Sequence, residues 1–223
     1  MKRVVTFLAM ITLALPLTAL SAQDEPVAPE VSLDGLELVE EGRRKEIYRA
    51  PGVDWSTYDK IQIDEATVAF RKNWLRDQNR YQTGRIRAED MERIRTGMVD
   101  LFDQVFSKEL AEEGGYELTE ESGENVLRIT PYIVDLNVYS PDARSAPGIQ
   151  RSYAEAAGRM TLKLHMYDSH TGDLVAVFSE NRETMRRGYV QWTNTVTNTK
   201  EFRMLLRSWA RELREGLEEA QSK

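Results

Sequence analysis

The sequence predicts an α+β fold, a two-layer sandwich in which two amphipathic helices pack on one mainly antiparallel sheet of four or five strands. Two kinds of periodic pattern lead to this prediction. Apolar and polar residues alternate in 160–167, and a short apolar run follows at 174–178, which together are typical of two strands. Apolar residues recur at steps of three and four in 91–110 and again in 202–217, which is typical of helices with one buried face.

The chain begins with the composition of a secretory signal peptide. Lys2 and Arg3 precede an apolar run at 4–20, and the small residues that follow favour cleavage after Ser21 or Ala22. A retained membrane anchor is the alternative. The predicted organisation is a signal peptide at 1–22, an extended N-terminal arm at 23–50 and a single α+β domain at 51–223.

The segments that precede the helices and the hairpin carry weaker signals. Residues 23–30 are acidic and include proline, which predicts a disordered leader. A strand is predicted over 58–70, where the apolar phase changes near Asp64 and indicates a bulge. A longer strand is predicted over 126–139. Pro131 within it predicts a bulge or an unpaired backbone position, because proline has no N–H to donate.

A hairpin over 158–183 has the clearest strand pattern in the chain. In its turn, Asp168 can accept hydrogen bonds from nearby backbone amides and Gly172 can adopt a positive φ. The second strand is apolar on both faces, which favours a central position in the sheet. His165 alternates with the apolar face of the first strand, so we expect it to be exposed to solvent or to flank the sheet.

Two helices are predicted from their apolar stripes. The first covers 89–113 and is expected to end at Gly114 and Gly115, because glycine favours the left-handed conformation that closes a helix. The second follows a pattern of Asn198 and Glu201 that resembles a capping box. Each helix has one apolar face, and that face requires a sheet or another helix to cover it.

Composition excludes several classes of function. The chain carries a net charge of −7, and an acidic protein is poorly suited to general nucleic-acid binding because phosphate contacts supply most non-specific affinity. It contains no cysteine, which excludes disulfides, thiol catalysis and thiolate metal sites. The two histidines, His165 and His170, have no further ligand at metal-binding spacing, and no nucleophile elbow or phosphate-binding loop is present. We therefore expect no metal and no cofactor.

Two polar segments, 71–87 and 186–197, are rich in arginine and aromatic residues and are predicted to be exposed loops. Such residues bind sugars, anionic groups and protein hot spots. The candidate binding residues are Arg71, Trp74, Arg76, Arg80, Tyr81, Arg187, Tyr189 and Trp192. The alternative is that the two tryptophans plug a sheet edge and the arginines pair with nearby acidic residues. The binding hypothesis requires both segments to lie at one end of the domain.

Several short phrases carry a resemblance to a known family. They are DGL at 34–36, PGVD at 51–54, LRITP at 127–131 and the turn at 168–174. In these phrases the chain resembles an exported bacterial family known as domain of unknown function 3313, whose members are commonly described as lipoproteins. This chain lacks the cysteine that would be acylated, so the resemblance implies a soluble periplasmic protein rather than a tethered one. It implies no activity.

The sequence as a whole favours a non-enzymatic binding or envelope-accessory domain in the periplasm. Its expected partner is an envelope protein or a glycan, and we expect no transmembrane segment after signal cleavage. Two alternatives remain open. One is a hydrolase of envelope glycans that uses carboxylates from several segments, and the other is a self-assembling structural protein.

Overall fold

The structure, a computed structural model, describes residues 25–81, 85–141, 152–186, 191–193 and 195–222. The strands in these ranges are β1 (Glu37–Glu41), β2 (Lys45–Arg49), β3 (Lys60–Ile63), β4 (Thr67–Phe70), β5 (Glu117–Leu118), β6 (Val126–Val138), β7 (Ser152–Ala154), β8 (Gly158–Asp168), β9 (Leu174–Glu183) and β10 (Gln191–Thr193). The helices are α1 (Trp74–Tyr81), α2 (Ala88–Lys108) and α3 (Thr195–Gln221), and a π-helical segment at Glu109–Glu113 continues α2.

Eight strands form one mixed sheet in the order β1-β2-β9-β8-β6-β3-β5, with β4 also paired to β6. The fold is α+β, as predicted, but the prediction of four or five mainly antiparallel strands is wrong. Strands β3 and β4 run parallel to β6 because helices α1 and α2 connect them to it, and parallel strands require such a crossover. Strands β1 and β2 add a hairpin from the segment that was predicted to be an extended arm.

The strand predicted over 58–70 is divided into β3 and β4, which are separated at 64–66. Both pair with β6, and Pro131 lies in register opposite the gap between them. The Ile129 carbonyl accepts a hydrogen bond from the Asp64 N–H (2.9 Å), and backbone groups two residues apart point to the same side of a strand. Pro131 therefore faces an unpaired position, one of the two predicted options. The bulge of β6 lies further along, where Asp135 has a φ of 54°.

The hairpin of β8 and β9 confirms its prediction. Asp168 Oδ1 accepts hydrogen bonds from the backbone N–H groups of His170 (2.9 Å) and Thr171 (2.8 Å), and Gly172 has a φ of 79°. Strand β9 lies between β2 and β8, so its apolar residues are buried on both faces of the sheet. The hairpin thus forms the centre of the sheet.

The prediction for His165 is wrong, because its side chain is only 2% exposed. It lies in β8, which has strands on both sides, and its neighbours in register are Thr130 and Val177. The ring centroid of Tyr132 lies 4.9 Å from that of His165. A position in a central strand surrounded by bulky neighbours therefore buries a polar side chain on the face opposite the helices.

Helices α2 and α3 cover one face of the sheet. Contacts from Arg203 to Gln104 and from Arg214 to Glu109 show that they lie side by side and run in the same direction. Their apolar stripes meet the buried face of the sheet, as predicted, and the largest fully buried residues include Phe102, Phe106, Leu110, Ile133, Leu136, Met160 and Trp209. Burial of each such side chain stabilises the fold by about 1.5–3 kcal/mol.

A buried polar network fixes α3 on the sheet. Glu180 of β9 is 8% exposed and accepts hydrogen bonds from Trp209 Nε1 (2.8 Å) and Arg182 Nε (2.6 Å). The Arg182 guanidinium also donates to both carboxylate oxygens of Glu212 on α3, at 2.6 and 2.8 Å. Since each buried charge has several partners, the network sets the position of α3 without leaving an unpaired ion.

The prediction of a capping box at Asn198 and Glu201 is wrong. Helix α3 begins at Thr195, so Asn198 lies in its first turn rather than at its cap. Asn198 Nδ2 instead donates to the Ser140 carbonyl (3.0 Å), which ties the start of α3 to the chain that follows β6.

The leader predicted to be disordered is docked where the structure describes it. Glu25 accepts a hydrogen bond from the Phe70 N–H (2.9 Å) and pairs with Arg95 of α2 (3.2 Å). These contacts cover the outer edge of β4, which has no strand beside it there. The predicted signal peptide lies outside the described residues.

Candidate functional site

The first predicted loop contains a helix. Trp74, at the start of α1, is 1% exposed, and its Nε1 donates to the Val138 carbonyl (3.0 Å). Its ring stacks on Phe70 with 4.5 Å between centroids. For Trp74 the structure therefore matches the alternative in which the tryptophan plugs the sheet edge. The prediction of an exposed loop over 71–87 is wrong because few apolar residues mark the buried side of a helix this short.

The arginines of this segment surround one acidic residue. Asp77 pairs with Arg71 (2.9 Å) and with Arg76 (3.2 Å), and the hydrogen bond from Arg71 is the main cause of its lowered pKa. The Arg76 side chain is nevertheless 65% exposed, and Arg80 is also exposed. Arg76 and Arg80 thus remain on the solvent side of α1.

The other predicted site residues are described only in part. Tyr81 ends α1, but its side chain lies outside the described part of the structure, and Arg187 and Tyr189 lie outside it entirely. The backbone of Trp192 lies in β10, opposite Tyr153 of β7 in a two-stranded sheet. A binding role for these residues therefore stays a prediction.

Both arginine-rich segments start from the same end of the main sheet. Helix α1 contacts Val138 at the end of β6, and Thr184, just after β9, donates its N–H to the carbonyl of Gly158 at the start of β8 (2.8 Å). At this end the Tyr139 hydroxyl donates to Glu183 (2.5 Å), and burial is the main cause that raises the pKa of Tyr139 to about 12. The two segments thus begin at the same end of the sheet, and the binding hypothesis stays a prediction.

A groove between α2 and α3 brings together a denser group of cations than the predicted loops do. Its volume is about 520 Å³. We call it the arginine groove, and its lining residues are Gln104, Val105, Lys108, Glu109, Glu113, Arg203, Arg207, Arg211 and Arg214. The four arginines follow one another at steps of four, four and three residues, so they project from one face of α3. They span about 16 Å at 1.5 Å per residue.

The two outer arginines of the groove are held by α2 and by α3 itself. Arg203 Nη1 donates to Gln104 Oε1 (2.6 Å), and Arg214 Nε donates to Glu109 Oε1 (3.1 Å). Arg214 also pairs with Glu218 (2.6 Å), and hydrogen bonds to Glu218 and Glu109 raise the pKa of Arg214. These contacts fix the two ends of the row.

The two inner arginines have no such partners. Arg207 and Arg211 are exposed, and within the described ranges neither forms an ion pair or a side-chain hydrogen bond. Lys108 faces them from α2 and is 57% exposed, with Glu112 at 3.5 Å. Like charges one helical turn apart repel each other, so this arrangement destabilises the isolated helix slightly and attracts anions.

The π-helical segment at Glu109–Glu113 forms one wall of the arginine groove. Its wider turn is closed by a hydrogen bond from the Gly114 N–H to the Glu109 carbonyl (3.0 Å). It places Glu109 against Arg214, and Glu113 further along the same wall. Single π-turns are rare and often occur at functional sites, so this departure from regular helix geometry supports a role for the groove.

The arginine groove is only partly visible in the sequence. The arginines at 203, 207, 211 and 214 fall on one helical face, but the prediction of α3 rests on its apolar stripe alone. The polar face would have shown the row of cations. It could not have shown that α2 lies beside that row, because the sequence does not specify which helices become neighbours.

The described residues contain no cluster of side chains suited to a metal ion. Within these ranges, no group of three or more histidine, aspartate and glutamate side chains is placed to hold a metal ion. Burial, together with the nearby charge of Lys163, lowers the pKa of His165, and its Nδ1 has no hydrogen-bond partner among the described groups. None of the helices in the described ranges combines the length and apolar character needed to cross a bilayer.

Most of the chain matches one known protein family. The sequence matches the family described as "Protein of unknown function (DUF3313)" over residues 30–213, which is most of its length. The chain belongs to this family. The match confirms the resemblance seen in the short phrases of the sequence, and it extends from β1 through the arginine groove as far as Arg211.

Solved structures similar to this DUF3313 protein are distant from it. The PelC dodecamer from Paraburkholderia phytofirmans is 9% identical, with a TM-score of 0.34, over 74% of this chain and 96% of that one. A minor lipoprotein from Acinetobacter baumannii is 10% identical, with a TM-score of 0.33, over 71% of this chain and 91% of that one. No curated protein matches the sequence.

Proposed function

We propose that this protein is an exported, non-enzymatic accessory protein of the cell envelope that binds an anionic ligand in the arginine groove. Export is supported by the positive, apolar and small-residue order of residues 1–22. The DUF3313 family carries no assigned activity, so the binding role has to be argued from the groove itself.

The single observation that carries the proposal is that Arg207 and Arg211 are exposed and unpaired in the described part of the chain. They stand one helical turn apart on α3, and neither forms an ion pair in the described part of the chain, although the protein carries a net charge of −7. Each guanidinium keeps its full set of five N–H donors free for a ligand. Arg203 and Arg214 hold the flanks of the row in place, so the inner pair is presented on a fixed surface.

Binding of a generic polyanion tests this proposal. We expect sulfated dextran to bind the protein, with an affinity that falls as salt is raised, because exposed charges are screened. The variant R207Q/R211Q should bind about tenfold more weakly, since two charge-assisted contacts are lost. Isothermal titration calorimetry at two salt concentrations measures both effects.

The matched control is R43Q/R44Q, which removes two exposed arginines from the turn between β1 and β2 instead. Its affinity for sulfated dextran should equal that of the wild type. Absence of binding by the wild type, or equal binding by R207Q/R211Q, would contradict the proposal.

A second candidate surface is the end of the sheet that carries α1 and the segment after β9. The observation that favours it is the exposure of Arg76 and Arg80 at the end where Thr184 leaves the sheet. We propose that this surface, with Tyr81, Arg187, Tyr189 and Trp192, binds an envelope protein or glycan. A selective loss of polyanion binding in R76Q/R80Q would favour this surface over the arginine groove.

A further inference from the structure

We infer that the ligand of the arginine groove is a linear acidic glycan whose sugar residues carry carboxylates. This inference rests on the proposed function, because it names the class of anion that the same groove binds. It follows from three properties of the groove: the spacing of its cations, the near absence of apolar side chains, and the presence of hydrogen-bond acceptors among the cations.

The spacing of the cations fits a ligand with regularly repeated charges. Arg203, Arg207 and Arg211 are separated by one turn of α3, or about 6 Å, and Arg214 extends the row. A row of this kind cannot converge on one small anion, since its members diverge along 16 Å or so of helix. A chain that carries one charge per repeating unit can instead meet each guanidinium in turn.

The lining of the groove is unsuited to a protein partner. Protein interfaces depend on a buried centre of aromatic and aliphatic anchors. Val105 is the one apolar residue among those that line the groove in the described structure, and no aromatic ring lies there. An acidic peptide would therefore gain only screened ion pairs, which are worth little individually at an exposed surface.

Acceptors in the groove favour a sugar over a polyphosphate. Glu113 on the π-helical wall is exposed, and Glu109 and Gln104 can accept further hydrogen bonds beside those that they accept from Arg214 and Arg203. A polyphosphate has no donors for the oxygens of these side chains, so it can bind only the cations of the groove. Sugar hydroxyls can donate to these oxygens while the carboxylates of the glycan pair with arginine, which forms bidentate bonds with a planar carboxylate.

A series of oligogalacturonates tests the inference. We expect affinity to rise with chain length and to level off near four charged residues, once the glycan spans the row of about 16 Å. Methyl esterification of the carboxylates should weaken binding about tenfold or more, because it removes the anionic groups and keeps the hydroxyls. R207Q/R211Q should lose the dependence on chain length.

Two comparison ligands separate the alternatives. Polyglutamate and inorganic polyphosphate of matched charge should each bind more weakly than the tetragalacturonate. Equal or tighter binding of either one would overturn the glycan assignment while leaving anion binding by the groove intact. If none of these polyanions, including sulfated dextran, bound to the protein, the proposed function itself would be overturned.

Discussion

His165 combines burial with an ionisable ring at the centre of the sheet. Its side chain is 2% exposed, Tyr132 packs against it, and burial lowers its pKa from the ordinary value of 6.5. The unfolded chain, in which the ring is hydrated, therefore binds a proton at a higher pH than the folded protein does. In the window below about 6.5, stability must fall as the pH falls.

We expect this effect in the free energy of unfolding. Between about pH 7.5 and about pH 5, the wild type should lose more stability than H165L, which has no proton to bind, by at most about 2 kcal/mol. Changes in packing caused by the leucine do not depend on pH, so the difference in slope isolates the histidine. Urea unfolding at a series of pH values provides the measurement.

The only other histidine supplies the control. His170 lies exposed in the hairpin turn, and H170Q should follow the wild-type pH dependence. If H165L showed the same pH dependence as the wild type, the claim that burial suppresses protonation of His165 would be wrong.

Helix α3 serves the fold with one face and presents cations with the other. Trp209 and Leu206 are buried against the sheet, while Arg207 and Arg211 face solvent without partners in the described residues. If these arginines serve binding rather than folding, their removal should not harm stability. Repulsion between like charges one turn apart costs about 0.2–0.5 kcal/mol per pair.

We therefore expect R207Q/R211Q to unfold with an unchanged free energy, or one raised by up to about 1 kcal/mol at low salt. In contrast, R214Q should be less stable than the wild type, because Glu109 is only 15% exposed and would lose its partner. Chemical denaturation of the three proteins compares these effects. A marked destabilisation of R207Q/R211Q would show that the pair supports the fold.

At the scale of the whole molecule, local pattern predicts the elements better than their arrangement. The hairpin of β8 and β9 and the apolar face of α2 follow from residue periodicity and turn chemistry. The parallel pairing of β3 and β4 with β6 depends on how α1 and α2 return the chain across the sheet, which no local pattern encodes. Short α1 escapes prediction for the related reason that Trp74 is its one buried residue in the described range, and a single residue shows no period.

The candidate site likewise combines features that the local sequence predicts with features that depend on the arrangement of the elements. The sequence placed its predicted binding residues on segments rich in arginine and aromatic rings, and it left burial of Trp74 open as an alternative. The contact with Val138 decides between the two for this residue. The arginine groove forms between two helices that are distant in sequence but lie side by side on the sheet, where they make contacts such as Arg214 with Glu109. Such a site is visible only after the fold is known, even though its arginines are regularly spaced.

The most direct test of the account is a map of where an anionic oligosaccharide binds. Backbone amide shifts of the isotopically labelled protein can be followed by NMR while tetragalacturonate is added. We predict perturbations concentrated in 104–113 and 203–214, which are absent in R207Q/R211Q. Perturbations confined to α1 and to 184–193, or no perturbation at all, would contradict the claim that the arginine groove is the binding site.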